Sequence, residues 1–307
     1  MKKLSISLLF VYFCFANAFS QNALEFGDLA AMPTARGAIT SVSDGTCFYV
    51  SNGFAIDKYS GHVEKYDVAT STWSVLTTKL SPKLFASSAI VAGKLYVFNG
   101  DLFDQKLNKK MEVVDLKTGE VTFATDNPQP AHAAGVAMWN DIIYSFGGKI
   151  DGSEPTYSAR LYCFDVASNR WIKLASMPEA KEAKGVMVEG KLYVIGGYSG
   201  KVSKRIDMYD TETNTWTQLA DLPVGISANS VTAHGSKIYT LFDYTNQTYI
   251  GCYDIPSNQF SVVKSKKMIP RRHAGAHIIN DMLYIVGGNT DSTAKSCLSS
   301  LQVADLK

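Results

Sequence analysis

The stretch "KLYVIGGYSG", residues 191–200, begins as a buried strand and breaks on two adjacent glycines. Glycine packs nothing inside a strand and costs chain entropy there. A glycine pair directly after such a run therefore marks a place where the backbone turns or is closely approached. The run recurs along the chain. Counting from Tyr193, equivalent strands are "CFYVSNG" with Tyr49, "KLYVFNG" with Tyr96, "IIYSFGG" with Tyr144, "KIYTLFD" with Tyr239 and "MLYIVGG" with Tyr284. The successive spacings are 47, 48, 49, 46 and 45 residues. A period of this size means one supersecondary unit, repeated.

Two further landmarks keep step with the first. An aspartate ends the next strand at Asp67, Asp115, Asp165, Asp210 and Asp254, with Thr or Ser three residues later. That spacing suits a tight turn, because both side chains bond nearby backbone groups. Six residues after each aspartate stands Trp73, Val121, Trp171, Trp216 or Phe260. Each unit thus holds an inner strand, the Tyr strand, a strand ending at the aspartate, and a strand starting near the tryptophan. Four short antiparallel strands in about 45 residues is the pattern of a propeller blade.

These units resemble Kelch repeats. The matching residues are the pairs Gly147-Gly148, Gly196-Gly197 and Gly287-Gly288, the Tyr-Asp pairs at 66–67, 209–210 and 253–254, and Trp73, Trp171 and Trp216. The resemblance covers essentially the whole chain after its first twenty residues. Blades one, two and five depart from it, with Asn52-Gly53, Asn99-Gly100 and Phe242-Asp243 in place of the glycine pair, so differently shaped loops are expected there.

The sixth unit lacks its tryptophan strand, because the chain ends at Lys307. The missing piece is at the other end. "FGDLAAMP", residues 26–33, matches "WIKLASMP", residues 171–178, with an aromatic, a leucine at plus three and Met-Pro at plus six and seven. The expected fold is all-β: a six-bladed Kelch-type propeller of four-stranded antiparallel blades, its ring closed by the N-terminal strand. The blades fall at about 34–80, 81–128, 129–178, 179–223, 224–270 and 271–307 plus 23–33, in one domain over 21–307.

Residues 1–20 stand apart. Lys2 and Lys3 precede a long apolar run that gives way to Gln21 and Asn22, which reads as a secretory signal peptide cleaved after Ala18 or, preferably, Ser20. Its removal takes two lysines from a formal charge of +2 and leaves the chain near neutral. A neutral chain has no general attraction for nucleic acid or anionic lipid. With no second long apolar run, a soluble monomer outside the cytoplasm, with no membrane span, is expected. Cys163 and Cys252 fall at one slot two blades apart, beyond disulfide reach. A bridge between Cys47 and Cys297 is geometrically open, and buried free thiols are the preferred reading.

In an antiparallel blade the loop between the second and third strands emerges on the same face as the connections between blades. Kelch resemblance implies that this face binds ligands around the central channel. The candidate ligand residues are Arg36, His132, Asp151, Glu182, Tyr198, Tyr244, Arg272 and His273, with Lys83, Phe85, Lys184, Arg271, Asp101 and Phe103 brought to the same face. His132 and His273 read as related positions, each followed by small residues. Aromatics beside arginines and carboxylates suit a protein segment or a carbohydrate. No HxH, CxxC, EF-hand, P-loop or GxSxG pattern occurs, so neither a metal nor a cofactor is expected. The leading expectation is a recognition module. Resemblance to exported Kelch propellers that epimerise sialic acids implies an enzymatic alternative, a sugar epimerase or mutarotase using Arg36, Arg272, His273, His132 and Glu182. A third reading is a scaffold acting through its outer strands.

Overall fold

Each repeat folds into a four-stranded antiparallel meander, buried through its middle strands and wet along its last. The computed structural model describes residues 23–56, 58–150 and 156–307; the expected signal segment and Asp151 lie outside them. In blade four the strands are Gly185–Val188, Lys191–Ile195, Ile206–Asp210 and Thr215–Gln218. Leu192, Val194, Ile195 and Ile206 are fully buried, whereas the last strand is mostly exposed. A strand covered on both faces needs a continuous apolar run, which is why "LYVI" does not alternate.

The inner strands Thr40–Ser43, Ser87–Val91, Gly135–Trp139, Gly185–Val188, Ser230–His234 and Gly275–Ile279 each touch the next in chain order, and the last touches the first. Six blades therefore close a ring. The core is correspondingly divided: one apolar cluster fills each of the six junctions among the described residues. Between blades four and five, for example, Tyr193, Ile195 and Ile206 pack on Ile238 and Tyr253. Each fully buried Leu, Ile or Val in such a layer contributes about 1.5–3 kcal/mol.

Closure happens as the sequence match demands. Gly27–Leu29 pairs antiparallel with Leu301–Asp305, Leu29 opposite Leu301, as the fourth strand of blade six. Met32 and its counterpart Met177 are both buried, and each donates its backbone N–H over 2.7 Å, to Ser299 and Ala159 respectively. One contact has no sequence signal: Leu24–Glu25 runs parallel to Ser265–Lys266, tying the front end to blade five as well.

The glycine pair answers to two neighbours. Gly196 and Gly197 have φ of 66° and 117°. A Cβ on Gly196 would lie 2.4 Å from the Ile226 carbonyl of the next blade, and one on Gly197 would lie 2.3 Å from the Glu182 carbonyl of its own. Blades one and two keep the same turn despite their asparagines. Asn52 and Asn99 take φ of 57° and 60°, which asparagine tolerates, and Gly53 and Gly100 follow at 94° and 84°. The expectation of a different loop shape is corrected at those four residues. In blade five Phe242 holds the left-handed first position at 65°, and only the second differs.

Side chains latch neighbouring blades. Trp171 donates its indole N–H to Thr125 O at 3.1 Å, Trp216 to Ala175 O at 2.8 Å, and Trp73 to Ala30 O at 2.8 Å, each just past the outer strand of the preceding blade. The turn aspartates accept backbone N–H groups two and three residues on, as at Asp210 from Glu212 and Thr213. The described cysteines are all free, three of them buried. Among the described residues no helix is long and apolar enough to cross a membrane.

Candidate functional site

A cavity of about 750 Å3 opens at the channel, walled by the inner strands and the connections that lead into them. His132, Glu182, Tyr198, Tyr244 and His273 all line it, together with Phe85, Lys184, Asn229 and Asp243. Their placement follows from the repeat. His132, Glu182 and Arg272 occupy one slot, each bridged through its backbone to the residue after the glycine pair: Lys149, Tyr198 and Asn289. His273 sits one residue further on, at the slot of Ala38, Phe85, Ala133 and Ala228, all of which share its left-handed φ near 50°. The two histidines are thus offset by one residue, which corrects their reading as related positions.

Polar contacts run across blades. His132 Nδ1 pairs with the Asp101 carboxylate of blade two, and its Nε2 lies 3.9 Å from Glu182 Oε1 of blade four. Burial pushes the Glu182 carboxyl up, against the opposing pull of His132, Lys184 and Lys149. Phe85 projects between the two histidines, its ring centre 4.3 Å from His132 and 5.1 Å from His273. Burial, reinforced by Arg272, brings the His273 imidazole down to about 4, so it is neutral at pH 7. Burial alone would raise Asp243, but hydrogen bonds from Thr245, Ser227 and Asn246 outweigh it and hold the carboxylate low.

The arginines behave differently from one another. Arg36 is fully buried, its guanidinium 2.8 Å from Glu64 Oε2 and 3.0 Å from the Asn52 carbonyl. It braces the blade junction and lies outside the cavity wall, so its expected contact with a channel ligand is corrected. Arg272 is almost buried, stacked with its guanidinium carbon 3.9 Å from the centre of the Tyr244 ring. It holds Tyr244 in place, and its Nε has no hydrogen-bond partner among the described residues. Around the mouth, Tyr198, Val202 and Tyr244 are 38%, 44% and 51% exposed, with Ile56, Phe103 and Val224 exposed beyond them.

The six-bladed geometry has its counterpart in known sequences. The KLHDC2/KLHL20/DRC7 Kelch-repeats domain matches residues 81–242, more than half of the chain. The chain belongs to the Kelch-repeat family. Mouse Kelch-like protein 35 is 30% identical over 152 residues, which cover 47% of this Kelch chain and 25% of that protein. Beta-scruin of Limulus polyphemus is 28% identical over 147 residues, covering 45% and 16%. Kelch-like protein terF of Aspergillus terreus is 29% identical over 188 residues, covering 56% and 40%. The alignments thus span less than half the length of each of these curated relatives.

Within the Kelch ring, three features of the site had no readable signal. The pairing of Asp101 with His132 joins different blades through loop geometry. Val202 and Val224 reach the rim only because the blade-four loop lies against the next connection, where a Cβ on Gly225 would come within 3.0 Å of Val202. That the Lys184 amine, though it pulls on Glu182 through space, makes no hydrogen bond or ion pair among the described residues is visible only once its surroundings are known.

Proposed function

We propose that this Kelch propeller is a recognition module whose loop face holds a protein ligand over the channel mouth. The apolar rim of Tyr198, Val202 and Tyr244 beside the cavity carries the reading. Exposed apolar side chains grouped around a concavity are what partners cover, and aromatic anchors carry most of such binding energy. A chain segment that seats one side chain in the cavity and lays its flanks on the rim uses both. Carbohydrate is the other ligand class that rings beside carboxylates suit. The basic, apolar start of the chain supports action outside the cytoplasm.

The test is a parallel screen of the purified protein against a displayed-peptide library and a glycan array. Binding that falls at least tenfold in Tyr198→Ala and Tyr244→Ala, and persists in the outer-strand variant Phe123→Ala, is expected. Binding in neither screen, or binding indifferent to both tyrosines, removes the reading; hits on glycans alone transfer it to carbohydrate.

A second reading draws on a separate observation, the approach of His132, backed by Asp101, to Glu182 on the cavity wall. In a sugar epimerase or mutarotase, Glu182 and His132 exchange a proton with the substrate while His273 stays neutral beside them. Anomer exchange of an N-acylneuraminate, followed by NMR and lost in Glu182→Gln, tests it. Exchange at the uncatalysed rate ends it.

A further inference from the structure

Lys184 lines the cavity at the head of the inner strand of blade four. The equivalent residues of the other blades are Ile39, Ala86, Ala134, Asn229 and Ala274. The repeat takes a small or uncharged side chain at this slot, so the lysine is peculiar to one blade. Other inward lysines have counter-charges. Lys181, three residues earlier, has Glu179 at 3.1 Å and Asp207 at 3.6 Å, and Lys83 has Glu112. Lys184 has neither a hydrogen bond nor an ion pair from its amine among the described residues.

A partly buried ammonium on a channel wall, with no carboxylate in hydrogen-bond or ion-pair contact, loses hydration and regains little. Burial accordingly pushes Lys184 down, opposed by the weaker attraction of Glu182. Burial pushes Glu182 up at the same time. Both groups are thus displaced toward their uncharged forms across one shared space. His132, backed by Asp101, lies 3.9 Å from Glu182. A lysine desolvated in this way is a nucleophile, and condensation of an amine with a carbonyl needs an acid beside it. Phe85 and Tyr198 give the space apolar walls, and about 750 Å3 admits a small sugar.

We propose that Lys184 is a nucleophilic amine that captures a carbonyl compound, an aldehyde or the open-chain form of a reducing sugar, as a Schiff base inside the channel. The Lys184 nitrogen attacks the carbonyl carbon, a C–N bond forms, and the π pair moves to oxygen. A proton leaves nitrogen and one reaches oxygen, giving the carbinolamine. Glu182 then protonates the hydroxyl, the C–O bond breaks, water departs and the nitrogen pair closes C=N. The imine nitrogen's remaining proton returns to the Glu182 carboxylate. One water is released, and nothing is oxidised or reduced. The site is independent of the protein-ligand reading: its failure leaves the binding screen untouched, and the reverse.

The full-length protein is incubated at pH 7 with glyceraldehyde and cyanoborohydride, which delivers hydride to the C=N carbon and leaves a stable secondary amine for peptide mass mapping. Lys184 should be modified at least tenfold faster than exposed Lys58 and Lys201. Lys184→Met, which keeps much of the bulk and has no amine, should lose that adduct. Glu182→Gln should slow it several-fold while leaving acylation of Lys184 by acetic anhydride, which needs no acid, unchanged. Labelling of Lys184 no faster than Lys58 overturns the proposal. So does an equal effect of Glu182→Gln on both reagents. The first comparison uses the unaltered chain, so poor folding of a variant does not shelter the idea.

Discussion

Arg36 and Glu64 form an ion pair of 2.8 Å from which solvent is fully excluded. The relationship is written into the repeat. The slot of Arg36 recurs as Lys83 and Lys181, and the slot of Glu64 recurs as Glu112 and Asp207, each pair again buried. Where blade three has Ala131 it has Tyr162, and where blade five has Ile226 it has Gly251, so cation and acid vanish together. In blade six Arg271 finds Gln302 at 3.2 Å, and that glutamine donates to Asp28 of the closing strand at 2.8 Å. An unpaired buried charge is costly, whereas loss of both partners is tolerated. Glu64→Leu is expected to destabilise the protein by about 3–5 kcal/mol. Arg36→Met combined with Glu64→Leu should recover much of that loss in denaturant titration. A double variant as unstable as the sum of the single changes would contradict the coupling.

Trp73 reaches across the seam to Ala30, immediately beyond the strand that closes the ring. Trp73→Phe removes one donor and should cost about 0.5–1.5 kcal/mol. Trp171→Phe should cost a similar amount, since its bond to Thr125 is of the same kind. Only the first should speed proteolysis at residues 23–33. Deleting those residues bares the outer edge of Leu301–Asp305 and the buried faces joined to Phe26 and Met32, so aggregation is expected. A soluble deletion variant with a sharp melt would speak against the closure.

Gly197 supports the site as well as the turn. Gly197→Ala meets the Glu182 carbonyl and a φ of 117°, whereas Gly200→Ala meets nothing within 4 Å at 87°. Both incur backbone strain of about 1–3 kcal/mol. Only Gly197→Ala should also displace Glu182 and Tyr198, seen as changed NMR shifts at His132 and loss of ligand binding. Equal behaviour of the two variants would show that the close approach is unimportant.

His277 is buried in the inner strand of blade six, its ring stacked on Phe48 and its Nε2 3.0 Å from Ser41 Oγ. Burial brings it down from 6.5 to about 4. Between those values the unfolded chain binds the proton and the folded one does not, so stability rises with pH in that window. The full contribution is present above about pH 6.5 and is lost as pH falls toward 4, a swing of about 3–4 kcal/mol at ~1.4 kcal/mol per unit. His277→Gln should reduce the slope of unfolding free energy between pH 4 and 6.5, with His273, also held near 4, carrying a similar share of what remains. An unchanged slope would assign the acid sensitivity elsewhere.

Much of the ring was legible because repetition multiplies weak signals. One glycine pair is ambiguous, but six strands at a steady spacing are not, and residues 26–33 could be placed by their likeness to 171–178. Counting along the repeat also brought His132, Glu182, Tyr198, Tyr244 and His273 to the cavity. Arg36 was misplaced for a physical reason. An arginine at the entry of an inner strand reads as solvent-facing until its partner on the third strand is noticed, and Glu64 lies 28 residues away. The matched losses in blades three and five were the available clue. Contacts made by loops between blades, such as Asp101 with His132, have no period to betray them.

Pairing Leu29 with Leu301 also sets a timetable for the ribosome. The ribbon over 27–29 cannot be seated until its mate, about 270 residues further along the chain, has emerged. At about 5–20 residues per second the seam stays open for on the order of tens of seconds. Through that interval the nascent front end must be kept from foreign strand edges. Any appendage genetically joined ahead of Leu24 will ride beside the seam between blades five and six, where it can obstruct the last act of assembly.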